Sequence, residues 1–150
     1  MIHNRRFHRT AFVLAGAYNL AWGAWTALDP QWFFEFAGMA PLNHPSIYAC
    51  VGMVVGLYGF VYLEIARAPE RAFVLGAVGL AGKVLGPIGM AQQILLGGWP
   101  WKSALLCVTN DLIWWIPFAL YLRDAWPAFK REVQDGPRRA SVGDSVQREG

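Results

Sequence analysis

Charge is nearly absent from most of this chain and crowded at its borders. Between Thr10 and Leu122, outside the Arg67–Arg71 turn and Lys102, there is one basic side chain, Lys83. Four acidic ones accompany it: Asp29, Glu35, Glu64 and Asp111. Helices of a water-soluble domain need a charged face, and a chain patterned like this cannot supply one to each helix. A bilayer core about 30 Å thick takes roughly 20 apolar residues per helix. Four stretches meet that length: Thr10–Leu28, Ile47–Ile65, Ala72–Leu96 and Ser103–Leu122. The expected fold is all-α, an integral-membrane four-helix bundle occupying residues 1–125. Residues 126–150, with Arg, Gly, Ser and Asp and no apolar period, are expected to form a disordered basic cytoplasmic tail.

The placement of Lys and Arg gives the expected orientation. Of the 13 basic residues, Arg5, Arg6 and Arg9 precede the first stretch and Arg67 and Arg71 separate the second from the third. Arg123, Lys130, Arg131, Arg138, Arg139 and Arg148 follow the fourth. These eleven fall on one side and Lys102 on the other, so the positive-inside rule puts both termini in the cytoplasm, at an inner (plasma) membrane. The basic start followed by a long apolar run reads as a retained signal-anchor rather than a cleaved leader. The connection between the first two helices carries Trp32, Phe33, Phe34 and Phe36 and then Pro41 to Pro45. Aromatics favour the headgroup level, so residues 30–38 are expected to form a short interfacial helix, with Trp99 and Trp101 at the same interface.

Small residues repeat at helical spacing in the second and third stretches. Gly52, Gly56 and Gly79 are the expected packing positions, because lipid gives helices no hydrophobic reason to associate and close backbone approach supplies dispersion contact instead. The corresponding faces elsewhere are Ala15, Asn19, Gly23 and Thr26 in the first stretch. In the fourth they are Ser103, Cys107, Asp111, Trp115 and Phe118.

Two charges do not fit topology. Lys83 and Asp111 fall near mid-depth of neighbouring helices joined by a short loop, and Asn19 lies at similar depth. A Lys or Asp at that depth costs roughly 2.5–3.5 kcal/mol on insertion scales, so mutual compensation is the cheapest arrangement. Asn110 and Asn19 are placed to satisfy what remains. Pro87 has no N–H, so the carbonyl of Lys83, four residues back, loses its helical partner and the helix is expected to kink there. The candidate site is therefore Lys83, Asp111, Asn110 and Asn19 beside the Pro87 break. It reads as a polar cavity that binds a ligand, a proton or a quinone-like headgroup, as a static pair that fixes register, or as two charges pointing apart, for example into a homo-oligomer interface.

Other signals exclude more than they assign. Cys50 and Cys107 lie on unlike helix faces and read as small apolar residues. His3, His8 and His44 have no ligand spacing, so no metal site is expected. Phosphate-loop, dinucleotide, zinc-protease and serine-hydrolase motifs are absent, and the cofactor is left unknown. The sparse basic tail does not suggest nucleic acid.

With these features in place, the chain resembles the small bacterial four-helix membrane proteins of the DoxX-like type. The resemblance covers residues 10–122 and rests on an early helix, a Pro-rich aromatic connection, a Gly-rich second helix and a Gly-plus-basic third. The segments Gly82–Gly89 (GKVLGPIG) and Asn110–Leu122 (NDLIWWIPFALYL) look like signatures of a narrower family. Some DoxX-like proteins are subunits of membrane oxidoreductases acting on quinone. The resemblance thus implies, as a class only, a part in quinone-linked membrane redox chemistry, and it matches no catalytic residue to a position here. The residues themselves give the polar site as a place for a small ligand or quinone, or the chain as an accessory subunit of a membrane redox or transport complex. A small proton-coupled transporter or channel and a structural scaffold stay open. So do a homo-oligomer or membrane-complex partner besides the lipid bilayer, and whether the chain is an enzyme.

Overall fold

The computed structural model describes the backbone of residues 2–148 and the side chains of residues 2–135. It is helical, with no strand among the described residues. Helix α1 spans Arg5–Leu28, the short α2 Trp32–Ala37, α3 Pro45–Arg67 and α4 Phe73–Leu95. The last helical stretch opens with a 3-10 turn, Trp101–Ser103. It continues as α5 (Ala104–Cys107), widens into a π-helical turn at Val108–Leu112 and resumes as α6, Ile113–Arg148. Among the described residues, three helical stretches are long and apolar enough to cross a membrane: Pro45–Arg67, Phe73–Leu95 and Trp101–Asp135.

The helices run past the apolar stretches at several ends. α1 starts at Arg5, and α3 starts at Pro45, whose fixed φ and missing N–H suit the first helical position. Hydropathy marks the apolar part of a helix, whereas its hydrogen-bonded ladder extends into charged sequence that is equally competent to form it. For the same reason α6 continues through residues 126–135, where a disordered tail was expected. The side chains of the rest of that tail, Arg138, Arg139 and Arg148 among them, lie outside the described residues. α2 falls within the expected interfacial segment and ends at Gly38, whose φ of +75° is the left-handed conformation that glycine adopts without strain.

The distribution of polarity is inverted relative to a water-soluble domain. Asn19, Thr26, Lys83, Ser103 and Asp111 are buried, Lys83 at 4% and Asp111 at 6% exposure, while Leu57 and Leu85 are 62% and 65% exposed. The interior is aromatic at the end near the N-terminus. There Phe12, Tyr62, Phe118 and Tyr121 interlock, with Phe12 and Phe118 ring centroids 4.4 Å apart. At the other end Phe33 and Phe34 of α2 pack on Tyr48 and Trp99.

α1 and α3 meet backbone to backbone. A methyl group placed on Gly23 would lie 2.5 Å from Gly56 Cα and 2.6 Å from Gly52 O. One on Gly59 would lie 2.8 Å from Gly16 O. Gly52, Gly56, Gly16, Gly23 and Gly59 lie together along this α1–α3 approach. Gly79 packs elsewhere, against the rings of Tyr62 and Phe118.

Candidate functional site

Lys83 on α4 and Asp111 in the π-helical turn face each other, with Nζ 3.6 Å from Oδ1. Lys83 Nζ also donates to Asn19 Oδ1 on α1 at 3.4 Å and to the backbone carbonyl of Asn110. Asn110 Nδ2 donates to Asp111 Oδ1 at 3.1 Å, and Asn19 Nδ2 donates to the Val55 carbonyl at 3.2 Å. All four candidate residues thus come together, contributed by three separate helical stretches.

Backbone irregularity on both flanking stretches makes this geometry. In α4, Pro87 strips the Lys83 carbonyl of its helical donor, and the indole of Trp115 replaces it, with Nε1 2.9 Å from Lys83 O. Opposite, the π turn displaces carbonyls from the α-helical ladder. Two are taken up by side chains: Asn110 O by Lys83, and Thr109 O by Trp114 Nε1 at 3.2 Å. A lysine placed among carbonyl and amide oxygens has replaced much of its hydration, which offsets the cost of burying it.

The buried face of this stretch is Ser103, Cys107, Asp111, Trp114, Phe118, Tyr121 and Ala125, spaced at three and four residues, while Trp115 at its edge is 36% exposed and reaches the site through its indole. The sequence shows no mark of the π turn, since Val-Thr-Asn-Asp-Leu is compatible with either helix type.

A cavity of about 270 Å³ adjoins the pair. Asn19, Lys83, Asn110 and Asp111 form its polar wall, and Val55, Tyr58 and Tyr62 of α3 with Gly82 and Gly86 of α4 form the rest. Tyr58 and Tyr62 were not anticipated. They are four residues apart on one face of α3, which was the available signal, but the neighbouring glycine face dominated that helix. Asn110 Oδ1 is buried without a hydrogen-bond partner. Asp111 Oδ2 faces Gly86, where a methyl group would lie 3.3 Å from it, and the Cys107 thiol on the same stretch is a further hydrogen-bond partner of the Asp111 carboxyl.

His8, which the sequence marked only as lacking metal-ligand spacing, is a further buried polar residue. Its Nε2 lies 3.0 Å from Asp124 Oδ2. Both cysteines are free, Cys50 exposed and Cys107 buried. No cluster of three or more metal-ligating side chains occurs among the described residues.

Comparison of the chain with protein-family models, with curated proteins and with solved structures finds no match.

Proposed function

We propose that this is a multi-pass inner-membrane protein whose polar site at Lys83, Asp111, Asn110 and Asn19 binds a small ligand within the bilayer. In this reading α1, α3, α4 and the stretch running from the 3-10 turn into α6 all cross the membrane as a four-helix bundle. Both termini face the cytoplasm, where eleven basic residues gather. The ligand is a small quinone-like molecule, bound either by the protein alone or as an accessory subunit of a membrane redox or transport complex. The DoxX-like resemblance belongs to this proposal and points the same way.

The observation that carries it is the buried Lys83–Asp111 pair beside an open cavity of about 270 Å³. A pair that only locked helix register needs no space next to it, and close packing would fill that space. Inside-out polarity, with leucines outward and charges inward, supports the membrane setting.

Native mass spectrometry of the protein released from lipid nanodiscs tests the reading. The expected result is a bound small molecule that disappears when Lys83→Met and Asp111→Leu are combined. That double replacement removes the polar groups together, without stranding either charge. A wild-type chain that carries nothing, or a double variant that keeps its ligand, would overturn it.

A further inference from the structure

The cavity's shape and its unfilled polar atoms define a narrower ligand class than the site residues alone. This step rests on the reading of Lys83 and Asp111 as a ligand site.

The route in runs sideways. Among the cavity-lining residues, Gly82 and Gly86 on α4 are exposed and Val55 and Tyr58 on α3 are half-buried, whereas Asn19, Tyr62, Lys83 and Asp111 are buried. The mouth therefore lies between α3 and α4, part-way along both helices rather than at their ends. On the α4 side its rim has no side chains. A methyl group built on Gly82 meets nothing within 4 Å, so that glycine borders open space. The flanking residues Leu57 and Leu85, 62% and 65% exposed, make the surroundings of the mouth apolar. If this surface faces lipid, a molecule entering there comes from the hydrocarbon and leaves its apolar portion in it.

The polar wall states what the head must be. Lys83 Nζ is engaged with Asn19 Oδ1, the Asn110 carbonyl and the Asp111 carboxylate. The unfilled group is an acceptor, Asn110 Oδ1, and the Asp111 carboxyl facing Gly86 keeps acceptor capacity beyond its Lys83, Asn110 and Cys107 partners. The Asn110 orientation follows from its Nδ2 being spent on Asp111 Oδ1. A buried acceptor left unmade costs about 1–3 kcal/mol, so the complementary head is a donor. The geometry points to an apolar-tailed molecule with a hydroxyl head, a hydroquinone or lipid alcohol, that enters laterally between α3 and α4 and donates to Asp111 Oδ2 and Asn110 Oδ1. For a quinone couple, the site then favours the reduced, hydroxyl-bearing form.

Gly82 offers a clean test. A Gly82→Trp side chain projects into the open mouth without meeting packed atoms and leaves every polar group in place. Gly89→Trp, on the same helix and likewise facing open space, is the control. The probes are a decyl-tailed benzoquinol and its dimethyl ether, which keeps ring and tail but has no donor. Binding is read by native mass spectrometry from nanodiscs. The wild type and Gly89→Trp should take up the quinol, and Gly82→Trp should bind it at least about tenfold more weakly. The ether should lose about tenfold on the wild type, the scale of one unmade buried hydrogen bond. Wild-type uptake by Gly82→Trp overturns the lateral mouth. Equal binding of quinol and ether, or no uptake of quinol by the wild type, overturns the donor head. If the combined Lys83→Met, Asp111→Leu protein binds the quinol as well as the wild type does, the underlying site assignment falls instead.

Discussion

Lys83 is held by partners that differ in kind: a side-chain amide on α1, a backbone carbonyl in the π turn and a carboxylate beside it. This explains how a mid-chain lysine is accommodated at 4% exposure. It also predicts asymmetric mutational behaviour. Lys83→Met leaves Asp111 buried without its cation and should destabilise the protein by about 3–5 kcal/mol. Adding Asp111→Leu to the same chain should restore most of that loss, because nothing charged is then stranded. Equilibrium unfolding in mixed detergent micelles reads both. A single variant as stable as wild type would mean that the ion pair contributes nothing to holding the fold. Most of this cluster was legible from residue spacing, since two opposite charges at matching depth in adjacent helices have few other solutions. Trp115 was placed on the right face by helical periodicity, but its bond to the Lys83 carbonyl was not legible, because that depends on how closely the fourth stretch approaches α4.

Helices α1 and α3 show how small residues set a crossing. Gly23 sits against the backbone of Gly52 and Gly56, and a methyl group there would meet backbone atoms at 2.5–2.6 Å, which cannot move aside as a side chain can. The same methyl on Gly56 would meet Gly23 Cα at 3.6 Å, an ordinary contact. Gly23→Ala should therefore push the helices apart at a cost of about 1–3 kcal/mol, the range for overpacking. Gly56→Ala should be neutral or slightly stabilising, because alanine loses less backbone entropy in a helix. Thermal unfolding of the two variants side by side separates them, and equal effects would contradict the close approach. The sequence announced a glycine seam on α3 through the Gly52–Gly56 spacing. It could not show which glycine bears the contact, because that depends on where the partner helix crosses. In the fourth apolar stretch the π turn at Val108–Leu112 is likewise unannounced by the sequence, and its freed carbonyls find partners only on neighbouring side chains.

The molecule is tied at the end that carries its N-terminus by polar links between distant segments. Arg5 Nε donates to Glu70 Oε1 at 2.7 Å, Arg9 Nε to the Ala66 carbonyl at 3.1 Å, and Tyr121 Oη to the Pro69 carbonyl at 2.9 Å. These draw α1 and α6 onto the turn between α3 and α4. Burial pushes the Glu70 carboxyl up, but the hydrogen bond and charge of Arg5, together with a backbone bond, outweigh it and hold the carboxyl below its ordinary range. A group depressed in the folded state stabilises it above the unfolded pKa and loses that contribution as pH falls through the folded value. Both partners are a third or more exposed, which limits the pair to about 0.5 kcal/mol. Glu70→Gln should thus lower thermal stability slightly at neutral pH, and the gap to wild type should close as the pH falls through and below the ordinary glutamate range. A gap that persists under acid would assign the difference to something other than this ion pair. At this scale the division between sequence and structure has a physical basis. The sequence alone determined the helical class, the apolar lengths and the isolation of Lys83 and Asp111, because hydropathy and charge act locally and are additive along the chain. Only the tertiary structure decided the cavity, its opening between α3 and α4 and the π turn that aims Asp111. Those depend on where helices cross and which backbone carbonyls go unpaired, and such quantities exist only between segments.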